Sequence, residues 1–115
     1  MLKKEFILQK YLFSSLRRAS YRTPMRAECL RKYRVSRGKY KCNMCDGIFG
    51  RKDIAIDHIV PVINPETGFK DWNEYIERLF CSSSGLQVLC NNGKNSCHKK
   101  KSKEENRLRR LVRKN

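Results

Sequence analysis

Ile54-Ala55-Ile56-Asp57-His58-Ile59-Val60-Pro61 is the stretch on which the fold turns. Its β-branched, alternating residues read as a strand, and Pro61, with no N–H to give to a ladder, ends it. The chain has two histidines, and one of them sits here beside a carboxylate. The other follows a cysteine in Cys97-His98-Lys99. Alternation sends Asp57 and His58 to opposite sides of a straight strand. That argues against both binding one ion and suits a division of labour, with the carboxylate on a metal and the imidazole free to handle a proton.

Around this strand stand two cysteine pairs. Cys42 and Cys45 are two residues apart and run into Asp46-Gly47, where the glycine suits a tight turn. Two thiolates at that spacing can hold one tetrahedral ion. Cys90 and Cys97 have six residues between them, more than the usual two to four, so this knuckle needs a longer polar loop to close on the same ion. Six cysteines could instead make three disulfides. The N-terminal Met1-Leu2-Lys3-Lys4-Glu5 is charged with no long apolar core after it, so no secretory route and a cytoplasmic location are expected. Under those conditions paired cysteines favour zinc. With 115 residues, 39% apolar and 33% charged, the core is small, and a metal is one means of fastening it. Cys29 and Cys81 then read as buried apolar residues rather than ligands.

The net charge of +16 is unevenly spread. Residues 1–41 hold 13 Lys/Arg against 2 acids, residues 42–98 hold 5 against 7, and residues 99–115 hold 9 against 2. A slightly acidic centre between two strongly basic arms fits a metal site presented to phosphates. No stretch approaches a membrane span. An anionic membrane surface fits poorly, because neither arm has a wide apolar face to spare.

The spacing of Leu8, Leu12, Leu16 and Ala19 predicts a helix over 2–20. Thr23-Pro24 reads as an N-cap and first helical residue of a second helix to about Tyr33, with Met25, Cys29, Leu30 and Tyr33 inward. Arg22, Arg26, Arg31, Lys32, Arg34 and Arg37 face out as a collective patch. Further on, Asp71 caps a short helix with Glu74 three residues later, and Trp72, Ile76, Leu79 and Phe80 share its inner face. Leu86-Gln87-Val88-Leu89 reads as a second strand, antiparallel to the first. A helix from Cys97 has His98 in its first turn and Leu108, Leu111 and Val112 as its apolar stripe. The result is one small α+β domain: a basic helical N-terminal extension at 1–40, a core at 41–105 and a basic helix end at 106–115.

Strand, long loop, strand and Cys-His helix together resemble the HNH endonucleases, whose shared core is the ββα-metal fold. Among these the chain is similar to the small phage-encoded type with a four-cysteine zinc site. The resemblance spans residues 22–103 and rests on Cys42-x-x-Cys45, Asp57-His58-Ile59-x-Pro61, Trp72 through Cys81, Leu86 through Cys90 and Cys97-His98-x-x-Lys101. It implies a zinc-stapled nuclease that cuts DNA, leaving 5′-phosphate and 3′-hydroxyl ends, and as a single-centre enzyme it would nick. His58 would be the general base, a role that suits an imidazole at neutral pH. Asp57 and His98 would hold a catalytic divalent cation, Mg²⁺ or Mn²⁺. Cys42, Cys45, Cys90 and Cys97 would hold a structural Zn²⁺. Contacts to DNA would come from Arg22, Arg26, Arg31, Lys32, Arg34, Lys99, Lys100 and Lys101, and a phage protein is a second candidate partner. One position departs from the family: its asparagine before the second strand, which orients the base histidine, is Gly85 here. Ser84, Asn91 or Asn92 are the candidates to substitute for it. The competing readings are a non-catalytic zinc-containing DNA-binding module with a decayed site and a ribosomal-type RNA-binding zinc protein. The latter leaves Asp57, His58 and His98 without a role.

Overall fold

The computed structural model describes the backbone of residues 2–114 and the side chains of residues 8–112. In chain order the elements are α1 (Leu2–Ser20), α2 (Pro24–Tyr33), β1 (Arg34–Ser36), β2 (Lys39–Lys41), β3 (Ile48–Gly50), β4 (Ile54–His58), α3 (Trp72–Leu79), β5 (Leu86–Cys90) and α4 (Cys97–Lys114). Single 3₁₀ turns precede β4, at Arg51–Asp53, and β5, at Ser83–Gly85.

The two apolar strands pair antiparallel from Ile54↔Cys90 to His58↔Leu86. All five residues of β5 are buried, because α2 and α4 both pack on it. Cys29 from α2 joins Ile54, Leu86 and Val88 in one core cluster; Cys42, Leu89 and Cys90 form a second, and Phe49 touches both. The first strand stops at His58 instead of running on to Val60, and Ile59 and Val60 are exposed. The partner strand begins only at Leu86, so beyond one further bond, Ile59 N–H to the Gly85 carbonyl at 3.0 Å, there is no edge left to pair with.

A second sheet was not foreseen. β1, β2 and β3 pair antiparallel in that order, with Gly38 at φ 70° in the β1–β2 turn. The strands are three residues long and mostly exposed, so they carry no alternation for a reader to find. Gly47 also differs from expectation. The positive φ in its turn falls on Asp46, at 62°, while a Cβ at position 47 would meet the Phe49 ring at 2.8 Å. Close approach, rather than backbone freedom, requires that glycine.

Helix extents match the sequence reading, but several buried faces are rotated. In α1, Leu8 and Ala19 are exposed, whereas Phe13 packs against Phe69, Trp72 and Tyr75 with ring centroids 5.4, 5.1 and 4.9 Å away. Four rings offer more area to bury than a leucine row, so they set the helix face. In α3 the inward residues are Tyr75 and Leu79 with Trp72 partly covered, while Ile76 is exposed. The cap is as read: Asp71 Oδ1 accepts the Glu74 N–H at 2.8 Å. Thr23 occupies the N-cap of α2, but its hydroxyl donates back to the Ser20 carbonyl at 2.9 Å. In α4 the stripe is only partly used; Leu111 and Val112 lie in the exposed end of the helix. Among the described residues no helix is long and apolar enough to cross a membrane.

Candidate metal centre and the cleft beside it

Cys42, Cys45, Cys90 and Cys97 converge, with their sulfurs all within 4.8 Å of one another. A tetrahedral ion with Zn–S bonds near 2.3 Å sets sulfurs roughly 3.8 Å apart, and Cys45 Sγ stands 4.0 Å from Cys90 Sγ. The long second knuckle closes because Ser96 is buried beneath it and the Cys97 N–H donates to Cys90 Sγ at 3.3 Å. Burial pushes the Cys97 thiol up to about 12 and raises Cys90. Burial also opposes ionisation of Cys42, but backbone hydrogen bonds from Cys45, Cys90 and Met44 outweigh it and bring this thiol down to about 7. Four thiols so placed cannot all ionise at neutral pH without a cation to balance them, so the set is suited to a bound metal ion. Cys29 stands outside the cluster, fully buried, and burial pushes its thiol up to about 11.

The second constellation lies at the open end of the β4–β5 pair. His98 in the first turn of α4 brings Nε2 to 4.0 Å from Asp57 Oδ1. That is too long for a hydrogen bond, and the ring's other nitrogen, Nδ1, is buried without a partner. The opposite oxygen, Asp57 Oδ2, accepts from Gln87 Nε2 at 2.9 Å and from Lys101 Nζ at 3.0 Å. Gln87 is itself held by Asn43 Nδ2 at 2.9 Å, which ties the carboxylate to the cysteine loop. One free carboxylate oxygen and one imidazole nitrogen bordering open space form a donor set that fits a divalent cation.

His58 points the other way, as alternation requires. Its Nε2 lies 2.9 Å from the carbonyl of Leu79, the last residue of α3. A carbonyl only accepts, so Nε2 donates to it. Helix ends leave such carbonyls without an internal partner. A main-chain oxygen therefore holds the His58 ring. Ser84, Asn91 and Asn92 do not substitute: the Ser84 hydroxyl pairs with Ser82 at 2.7 Å, and Asn91 Oδ1 is buried and unpartnered. Gly85 is small for a steric reason, since a Cβ there would meet Cys81 Sγ at 2.8 Å.

Asp57, His58 and His98 border one cleft of about 640 Å³. Arg17, Arg26, Arg51 and Arg109 line its walls. Of these only Arg26 was read from sequence. It stacks on the Tyr21 ring at 4.6 Å and reaches the Ile56 carbonyl at 3.5 Å; burial lowers its pKa. Arg22, Arg31, Lys32, Arg34, Lys99 and Lys100 are exposed. Lys101, read as one of that outward set, is turned inward with a side chain only 17% exposed. Gln87 and the inward role of Lys101 were missed. The register Asp57↔Gln87 and the one-turn step from His98 to Lys101 are the signals that find them.

Comparison with known protein families, characterised proteins and solved structures finds no match for this chain.

Proposed function

We propose that this chain is a metal-dependent DNA endonuclease of the HNH type, built on a ββα-metal core of β4, β5 and α4. The observation that carries the reading is the meeting of Asp57 Oδ1 and His98 Nε2 at 4.0 Å across forty residues of sequence, with His58 on the same cleft but bonded elsewhere. The cysteine cluster is a structural zinc site in this reading, and neither histidine belongs to it.

Each residue then has a task. Asp57 and His98 would hold Mg²⁺ or Mn²⁺, which would counter the charge that builds on the phosphate. Arginines on both walls draw the DNA backbone into the cleft and hold it. His58, kept in one tautomer by the Leu79 carbonyl, takes a proton from water through Nδ1 as the water oxygen bonds to phosphorus and the bond from phosphorus to the 3′ oxygen breaks. The departing 3′ oxygen gains a proton from solvent, leaving a 3′-hydroxyl and a 5′-phosphate.

The test is nicking of supercoiled plasmid with Mg²⁺ or Mn²⁺, with and without chelator. His58→Ala should lower the rate by about 10² to 10⁴-fold, the usual contribution of a general base, with the melt unchanged. Equal cutting by wild type and His58→Ala would identify a contaminant. It would then favour the alternative, a non-catalytic zinc-containing DNA-binding module, to which the Lys101–Asp57 ion pair lends support.

A further inference from the structure

Lys101 is the cation that holds the Asp57 carboxylate. It sits one turn beyond His98 on α4, so its ammonium reaches the same carboxylate from the helix side. Nζ lies 3.0 Å from Asp57 Oδ2, donates to the His58 carbonyl at 2.9 Å, and lies 3.6 Å from Glu105 Oε2. With Gln87 also donating to Oδ2, that oxygen is filled, and Oδ1 alone is turned toward His98. Two consequences follow from this geometry. The carboxylate can offer an ion only one oxygen, and the ion must bind beside a fixed positive charge.

We propose that Lys101 is a positioning residue that makes cation binding at Asp57 and His98 depend on an incoming phosphodiester. This rests on the nuclease reading above. At the carboxylate itself Asp57 and Glu105 supply two negative charges and Lys101 cancels one, while Arg17, Arg26, Arg51 and Arg109 on the cleft walls add positive charge, so a divalent cation finds little net attraction in the free protein. A DNA phosphate in the cleft supplies the missing charge. The cation is therefore held weakly until DNA arrives, and by linkage it strengthens DNA binding by the same factor. The lysine limits loading of the free protein while keeping Oδ1 aimed.

The experiment is Mn²⁺ titration of the zinc-loaded full chain, followed by electron paramagnetic resonance. It is run with and without a DNA duplex whose phosphorothioate linkages resist cutting. Wild type should bind Mn²⁺ about tenfold more tightly with the duplex, a coupling of ordinary size. Lys101→Met should raise affinity in the absence of DNA by a similar factor and shrink the coupling, while Lys101→Arg retains both wild-type values. A merely loosened site would bind more weakly, so tightening separates the proposal from a structural defect. Glu105→Gln should weaken binding, and it carries the test if Lys101→Met does not fold. Asp57→Asn identifies the site. Asp57-dependent Mn²⁺ binding that Lys101→Met leaves unchanged or weakens overturns the role of Lys101 but leaves the nuclease reading standing. So does a Glu105→Gln variant that binds as tightly as wild type. If Asp57→Asn binds Mn²⁺ like wild type in every condition, both ideas fall together.

Discussion

The four cysteines and the Asp57–His98 pair are both places where distant side chains converge, yet they are finished to different degrees. The cysteine cluster has four donors of one kind, backbone N–H groups on its sulfurs, and buried neighbours on β5. The Asp57–His98 pair has two donors of different kinds, a lysine and a glutamine holding the carboxylate, and a broad cleft in front. A closed set of ligands fastens a chain; an open set leaves coordination positions for something else. The two sites are joined, since Asn43 in the cysteine loop holds Gln87, and Gln87 holds Asp57.

The sharpest way to break this contrast is to remove one ligand from each side. Cys42→Ser should abolish metal retention and the cooperative melt, because the binding energy of a structural zinc, on the order of 10 kcal/mol, is also folding energy in a domain with so small a core. Asp57→Asn should leave the metal content of the cysteine cluster intact and shift the melt by only a few degrees. Equal melts for Cys42→Ser and wild type, with equal metal content, would show that the cluster fastens nothing.

A smaller effect tests the wall behind His58. Gly85→Ala places a Cβ 2.8 Å from Cys81 Sγ and should destabilise by about 1–3 kcal/mol, the usual range for overpacking. Adding Cys81→Ala should recover most of the loss. Urea melts of the single and double variants check this, and a Gly85→Ala variant as stable as wild type would remove the steric reason for the glycine.

The smallest effect separates the four clustered thiols from Cys29, which lies outside the cluster. Cys29 keeps its proton up to about pH 11 when folded and releases it near pH 9 when unfolded. Over that window the unfolded state binds fewer protons, so stability falls as pH rises, by at most about 1.4 kcal/mol per pH unit. Cys29→Val should flatten the fall, as followed by melts between pH 8 and 11. Metal-bound cysteines have no proton to lose there.

Legibility followed the length of the signal. Helices α1, α2 and α4 and the β4–β5 pair were readable because each repeats its pattern over several turns or alternations. Strands β1 to β3 were not, being three exposed residues each. Faces went wrong where aromatics competed with leucines: Phe13 and Tyr75 were passed over, although ring area outweighs a regular aliphatic step. The end of the first strand was misplaced because it depends on where its partner begins.

Residue chemistry and spacing pointed to Cys42, Cys45, Cys90 and Cys97 as a set that could hold a metal ion and to a buried Cys29, because those choices follow from side-chain type and spacing. Only the tertiary structure decided that Oδ1 of Asp57 faces His98, that Lys101 turns inward, and that a helix-end carbonyl holds His58. These are matters of which atom of a side chain faces which neighbour. Strand register, the rotation of α4 and the end point of α3 fix them jointly, and no local pattern encodes all three.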